Sequence, residues 1–302
     1  MRIGVLSRST QLYSTQSLYR AGRRRGHQVY VIDHTYCNLI LDNDRPAIEY
    51  KGKLLDNLDA IIPRIGASVT GLGAAVINQF ELMEVPTPTG SEALLRARDK
   101  LRCLQLLAQH GLPVPKTVMI SGANNLYNAA RLIGDLPIVV KLLESTHGTG
   151  VELADSYYAL VTFVETFQQF DDRILLQEYI AEAAGADIRA LVVDGEIVAT
   201  MRRQAQAGEF RSNLHRGATA KPYALSPEES ELVKAVVNAL QLEVAGVDLL
   251  PSDRGPLIME VNASPGLEGI ESTTGVDVAG HIIRLVERKV KQKRQAKNEE
   301  PK

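Results

Sequence analysis

Glu260 and Asn262 lie two residues apart in the apolar run Leu257-Ile258-Met259-Glu260-Val261-Asn262, so a strand through that run turns both side chains to one face. A carboxylate and an amide set side by side among apolar neighbours need a partner. A hard divalent cation supplies one, because Mg2+ takes oxygen ligands and usually combines one or two carboxylates with phosphate oxygens and water. Asp248, within Gly246-Val247-Asp248-Leu249-Leu250, comes beside Glu260 if the two runs pair antiparallel through the turn at Pro251 to Gly255. A buried polar network or a wetted strand face fits the same spacing, and spacing alone does not choose among the three.

Lys141 lies in the run Ile138-Val139-Val140-Lys141-Leu142-Leu143, and Ser145-Thr146-His147-Gly148-Thr149-Gly150 follows it. A loop of small hydroxylated residues and glycines can bring backbone N–H groups against phosphate oxygens, and the lysine adds a point charge. The loop joins two strand-like runs, so it is not the Gly-Lys-Ser/Thr turn that opens a helix in Walker A sites. A plain hairpin with a wetted tip would have the same sequence. Arg202-Arg203, followed by Arg211-Ser212-Asn213, could clamp a phosphoryl group or form a solvated basic face. Neighbouring strand residues point opposite ways, so at most one of Arg202 and Arg203 enters a site. His147 and His215 have no ligand-spaced partners and are given neither a metal nor a general-base role.

Positioning these groups takes a scaffold, and 302 residues, 45% of them hydrophobic, can build two or three domains with substantial cores. The formal net charge is only -2, with 34 basic residues spread among 36 acidic ones, so no broad field favours nucleic acid or anionic lipid. Phosphate must therefore be bound locally. Cys37 and Cys103 are the only cysteines and stand in unrelated contexts, which removes disulfide frameworks and CxxC sites and fits a reducing cytoplasm. The apolar run after Met1 ends at Arg8, too short for a signal peptide, and no later run has the ~18 apolar residues of a membrane span.

Ile3 to Leu6, a helix over Thr15 to Arg25 stopped by Gly26, and Val29 to Ile32 read as strand, helix and strand, with a further strand at Ala60 to Ile62 and a helix from Gly71 to Met83. A Thr/Pro/Gly stretch at Val85 to Gly90 then marks a boundary. One helix is expected over Glu92 to His110, ended by Gly111 and the prolines after it. Strands are expected at Ile138 to Leu143, Val151 to Ala154, Ile174 to Ile180, Ile188 to Val193 and Ile197 to Arg202, the last two joined by Asp194-Gly195 in a type I′ turn. Ser226-Pro227-Glu228-Glu229 is a capping box with proline at the first helical position. Strands at Gly246 to Leu250 and Leu257 to Val261 precede a Gly-rich loop over Ser264 to Gly275, a final helix to about Val290 and a charged tail expected to be disordered.

In order and spacing the chain resembles the ATP-grasp superfamily: Lys100, Lys141 before its glycine loop, Gln177-Glu178-Tyr179-Ile180, Asp187-Ile188-Arg189, Arg203, Arg211-Ser212-Asn213, Asp248, and Glu260-Val261-Asn262-Ala263-Ser264-Pro265-Gly266. Within it the chain is most similar to the RimK-type glutamate ligases, which modify the C-terminus of a small-subunit ribosomal protein. That likeness runs from Ile3 to about Glu287 and includes Leu6-Ser7-Arg8, Pro63-Arg64-Ile65-Gly66, Arg96-Ala97-Arg98-Asp99-Lys100 and Phe210 to Gly217. It departs from the family at Ala218, where relatives usually continue with a second glycine, and at Thr89, where they often have asparagine.

The resemblance implies an α/β and α+β chain: a pre-ATP-grasp α/β domain over 1–95, a linker helix and central small subdomain over 96–185, a C-terminal ATP-grasp subdomain over 186–290 and a disordered tail over 291–302. It implies ATP bound between two sheets, with Lys100, Lys141, Gly148 and Gly150 at the phosphates, Glu178 and Tyr179 at the adenine, and Asp187 at the ribose. Arg211, Ser212 and Asn213 would close over the nucleotide. Asp248, Glu260 and Asn262 would hold two Mg2+ ions, which Mn2+ can replace, and Arg203 would face the acyl phosphate and oxyanion. The implied reaction is ATP-dependent ligation of L-glutamate to an acceptor ending in glutamate, with Arg8, Arg64 and Arg216 as partners for substrate carboxylates. A cytoplasmic homotetramer that engages neither nucleic acid nor membrane completes the expectation. Two other activities stay open: free poly-glutamate or dipeptide synthesis or ligation to an amino-acid carrier protein, and a catalytically silent ATP-binding module.

Overall fold

The computed structural model describes residues 1–42, 45–121, 126–143, 150–170 and 173–299. Aliphatic runs at β1 (Arg2–Leu6), β2 (Gln28–Ile32) and β6 (Ala60–Pro63) pair in parallel in the order β2-β1-β6. Helices α1 (Tyr13–Arg24) and α2 (Thr70–Leu82) pack beside them. Between β2 and β6 runs an antiparallel meander that the sequence reading did not anticipate, β3 (Cys37–Ile40), β4 (Ala47–Tyr50) and β5 (Lys53–Leu54).

The helix expected over Glu92 to His110 is two helices, α3 (Ser91–Arg98) and α4 (Lys100–Gln109). Asp99 breaks it, with an extended backbone (φ -77°, ψ 103°) and a carboxylate that accepts from the Arg102 N–H as the N-cap of α4. This single extended residue sets the position of Lys100 at the first turn of α4.

Two sheets follow. Strands β7 (Thr117–Ser121), β8 (Ile138–Leu142), β9 (Val151–Ala154) and β10 (Arg173–Glu178) form an antiparallel sheet in the order β7-β10-β8-β9, covered by α5 (Leu126–Ile133) and α6 (Tyr157–Gln168). Its core is separate, built from residues such as Ile138, Leu160 and Ile174. The second sheet takes β11 (Ala186–Val193), β12 (Glu196–Gln204), β13 (Thr219–Pro222), β14 (Val244–Leu250) and β15 (Leu257–Asn262) in the order β13-β12-β11-β14-β15. At the β11–β12 hairpin Asp194 (φ 63°) and Gly195 (φ 74°) adopt the left-handed conformations of a type I′ turn. Helix α7 (Pro227–Leu240) starts on the expected capping box, Ser226 Oγ accepting from Glu229 N while the Glu229 carboxylate accepts from Ser226 N.

The five-stranded sheet shares its cores with the N-terminal layer. One cluster runs from Leu6 and Ile61 through Ile77 and Leu94 to Val233 and Val247, and a second joins Ile3 and Leu18 to Leu191 and Ile283. The Gly-rich stretch expected as loop holds α8 (Glu268–Thr274), and the last helix, α9 (Val278–Glu299), extends well beyond Val290. Lys293 and Lys297 pair with Glu84 and Arg294 with Asp59, so ion pairs to the N-terminal layer hold the helical residues that were expected to be disordered. Among the described residues no helix is long and apolar enough to cross a membrane.

Candidate active site

Strand alternation puts Asp187 and Arg189 on one face of β11, and sheet register sets Asp187 opposite Arg203, Arg189 opposite Asp248, and Asp248 opposite Glu260. The residues between them, among them Ile188, Ala190, Val247 and Leu249, turn the other way into the shared core. The sheet is thus an apolar wall with a row of charges on its open side. A bulge between Asp248 and Leu249 leaves Met259 without a partner on β14 as the pairing passes from Glu260 to Ile258. Gly246 faces Asn262, and a Cβ there would lie 2.9 Å from Pro265 Cβ, so only glycine lets the segment after β15 fold back this closely.

The row is ion-paired and nearly sealed: Asp187, Asp248 and Arg203 are 0%, 1% and 3% exposed. Arg203 Nε and Nη2 donate to the two oxygens of Asp187 at 2.6 and 2.5 Å, and Nη2 also donates to Asp248 Oδ2 at 3.0 Å. Arg189 closes a second fork on Asp248 at 2.7 and 2.5 Å, and Ser212 Oγ donates to Asp187. Burial raises the Asp248 carboxyl, but the Arg189 and Arg203 guanidiniums outweigh it and hold the group below the usual carboxylate range. Asp187, with one guanidinium and Asp248 as an acidic neighbour, is pushed up by its burial. Carboxylate and guanidinium alternate along the row, and among the described residues Arg203 Nη1 meets no acceptor.

Across the cavity the central sheet contributes Lys141, whose Nζ donates to Gln177 Oε1 at 2.6 Å. Burial is the main cause that lowers its ammonium to about 8, Lys100 adding to the effect and Glu260 opposing it. Lys100 Nζ donates to the carbonyls of Leu142 and Leu143 at the end of β8. Glu178 closes β10, its carboxylate accepting from Lys116 N–H and from Arg254, and Tyr179 meets the ring of Phe210 edge-on at 6.4 Å. Arg211 forks onto Glu209 and reaches across to the Val151 carbonyl at 2.9 Å, tying the loop after β12 to β9. That fork holds the Glu209 carboxyl down to about 2.

One cavity is lined by Lys100, Lys141, Glu178, Tyr179, Asp187, Arg203, Arg211, Ser212, Asn213, Asp248, Glu260 and Asn262. Gly150, Arg8, Arg64 and Arg216 do not line it, and Gly148 falls outside the described residues. Gly150 opens β9 with φ +69°, and Arg216 lies 3.8 Å from Glu209. Glu260 is exposed rather than buried, because β15 is the edge strand. Also lining the cavity is Arg98, which had no assigned role in the sequence reading. Nor did Arg189 receive one, yet its place two residues after Asp187 was a signal for the shared face.

Asp248, Glu260 and Asn262 form a donor set that fits a hard cation. Two carboxylates and an amide converge on one rim; the Asn262 amide nitrogen is buried without a hydrogen-bond partner, and a turn of the amide offers its oxygen at that place. No group of three acidic, histidine or cysteine side chains that could cage a metal occurs among the described residues. A cation held by this set would need oxygens from outside the protein to complete its shell, as Mg2+ usually takes them from phosphate and water.

The RimK pre-ATP-grasp domain family matches residues 1–94 and the RimK-like ATP-grasp domain family residues 97–286. A relative named probable alpha-L-glutamate ligase, from Aliivibrio salmonicida, is 51% identical over 288 residues, 95% of this chain and 96% of its own. The crystal structure of a RimK domain ATP-grasp protein from Sphaerobacter thermophilus aligns with TM-score 0.72 at 22% identity, covering 95% of this chain and 99% of that one. The ATP-grasp ligase PsnB, complexed with a phosphomimetic variant of its minimal precursor, Mg and ADP, aligns with TM-score 0.74 at 18% identity, covering 96% and 98%. These two structures share the fold.

Proposed function

This chain belongs to the RimK-like ATP-grasp family and is an ATP-dependent ligase, and from that premise we propose that it uses Mg2+ and joins L-glutamate to the C-terminal glutamate of an acceptor, a small-subunit ribosomal protein. One observation carries the reading: Lys100 and Lys141 face the row of Asp248, Glu260 and Asn262 across a single cavity that Arg203 also lines. Two lysines opposite a cation-binding rim suit a nucleotide triphosphate whose terminal phosphate points at Arg203.

A carboxylate is a poor electrophile, so the acceptor's terminal carboxylate first attacks the γ-phosphoryl group of ATP; the bond to the β-phosphate breaks, leaving ADP and an acyl phosphate. The neutral amine of glutamate then attacks the acyl carbon, an amide forms, phosphate leaves, and the amine gives up a proton. Asp248, Glu260 and Asn262 would hold Mg2+, as two ions or with Mn2+ in their place, which would supply neutralisation of phosphate charge. Arg203 holds its Nη1 toward the reacting oxygens because Asp187 and Asp248 fix its other donors, and an oriented donor needs no reorganisation as oxyanion charge develops. Glu178 and Tyr179 take the adenine end. Asp187 is occupied by Arg203 and Ser212, so its support of the ribose is through the loop that Ser212 anchors.

ADP release measured with each amino acid, with and without a Glu-ending peptide, tests the reading. Release is expected with glutamate alone among them and only with the peptide, whose mass grows by a glutamyl residue. Free poly-glutamate made without peptide would replace the acceptor, and ATP binding without any ADP release would make the chain a silent module.

Lys141 gives a pH test of its place at the phosphates. Its ammonium, lowered to about 8, is charged at pH 7 and largely neutral at pH 9, so affinity for ATP falls over that interval. In Lys141→Arg, which keeps its charge, the fall is absent. The same slope in both proteins would take Lys141 off the phosphates.

A further inference from the structure

Three arginines surround the turn Pro63-Arg64-Ile65-Gly66 at the carboxyl end of β6, and none has an acidic partner within ion-pair distance among the described residues. Arg64 Nη2 donates to the Pro265 carbonyl at 2.7 Å. Arg98, the last residue of α3, donates from Nη2 to the Ile65 carbonyl at 2.8 Å and lines the cavity beside Glu260. Arg8 lies across Gly66, where an added Cβ would come 3.1 Å from its Nη2. Each of Arg64 and Arg98 thus gives one N–H to a main-chain carbonyl, and none of their nitrogens is both sealed from solvent and unpaired. The buried Arg203, by contrast, is matched with carboxylate on Asp187 and Asp248.

Two half-buried cations within reach of each other's charge are costly unless an anion joins them. Burial, with Arg98 adding its repulsion, lowers the Arg64 guanidinium to about 10, and the only acid that supports Arg98 is Glu260, beyond ion-pair distance. Of the pair, Arg98 reaches the cavity wall, while Arg64 sits on the adjoining turn, held to the Pro265 carbonyl.

We propose that Arg64 and Arg98 form a carboxylate subsite that holds the non-reacting carboxylate of an acidic amino-acid substrate and so sets the enzyme's preference for glutamate over glutamine. Guanidinium forks match carboxylate geometry, and a site built to pair a buried charge rejects the neutral isostere because its own charges stay unpaired. The subsite rests on the ligase reading. Both the acceptor's terminal residue and the incoming amino acid present such a group, and kinetics separates them.

The test is kcat/KM of full-length protein for Glu-ending and Gln-ending peptides and for free glutamate and glutamine, in wild type, Arg64→Gln and Arg98→Gln. Wild type is expected to prefer glutamate at the served position, and either variant to lose roughly 10- to 100-fold with it while KM for ATP holds, so that the preference collapses. The substrate whose KM moves identifies the position served. Arg64→Lys and Arg98→Lys, which keep charge but not the fork, fall between. Unchanged discrimination in both glutamine variants overturns the proposal. Calorimetry with glutarate needs no turnover: if wild type proved inactive with every acceptor, the ligase reading would fall, while glutarate bound by wild type and not by Arg98→Gln would keep the subsite. Glutarate that binds both equally, or neither, or that is matched by inorganic phosphate, removes it.

Discussion

Arg203→Ala is expected to lower unfolding stability by about 3–5 kcal/mol, because it strips the guanidinium from two carboxylates that are 0% and 1% exposed. Arg203, which the resemblance implies at the acyl phosphate and oxyanion, also holds the sheet face together through Asp187 and Asp248. Asp248 keeps the Arg189 fork, but Asp187 is left with the Ser212 hydroxyl, and burial then sets its protonation. The pH dependence follows from the signs. In wild type the Asp248 carboxyl is depressed, so its stabilisation is present above the unfolded value near pH 4 and is lost only as pH falls through the lower folded value. In the variant Asp187 is raised further, so the folded state takes up a proton as pH falls and the deficit shrinks. Urea midpoints of both proteins at pH 7.5 and pH 5.5 check this. An equal deficit at the two pH values, or one below about 1 kcal/mol, would mean that water or Arg189 already serves Asp187.

The parts of this site that could be read from sequence are those fixed by alternation along one strand. Glu260 with Asn262, and the separation of Arg202 from Arg203 onto opposite faces, follow from a period of two, and the Asp194-Gly195 turn and the Ser226 cap are decided within four residues. What escaped depends on distant partners. Asp99 reads like any acidic residue within an amphipathic run until its side chain is seen to cap α4. The meander of β3 to β5 consists of strands of four residues or fewer, too short to carry a period. The α9 extension has almost no apolar face and is held by Glu84 and Asp59, more than 200 residues away in sequence. Arg98 is one of three charges in Arg96 to Asp99, and only folding turns it to the cavity. The separate core of the central sheet has the same origin: contacts such as Arg211 to Val151 join that sheet to the loop after β12, while the charge row rides on a core shared with the N-terminal layer.

Glu260→Gln should have the largest effect on turnover with the smallest on the fold. Glu260 is exposed on the edge strand and shares in no described hydrogen bond, so its replacement by the isosteric amide is expected to change stability by no more than about 0.5 kcal/mol. The consequences for chemistry are opposite in size. Three hydrogen bonds commit Asp248 to Arg189 and Arg203 and leave it a single-oxygen contact to a cation at most, so Glu260 is the carboxylate of the set with both oxygens open. Losing a fixed charge at a transferring phosphoryl group costs roughly 100- to 1000-fold in rate, on the scale of other preorganised electrostatic contacts. The Mg2+ concentration for half-maximal rate should rise as well. Without nucleotide, both wild type and variant should bind Mg2+ weakly, since two carboxylates and an amide complete their shell with phosphate and water. Tight Mg2+ binding to wild type alone would mark a free-standing metal site and not a mount for ATP phosphates. Near-normal ADP release from Glu260→Gln would remove Glu260 from the metal set, and a large fall in its urea midpoint would show instead that the carboxylate serves the edge of the sheet.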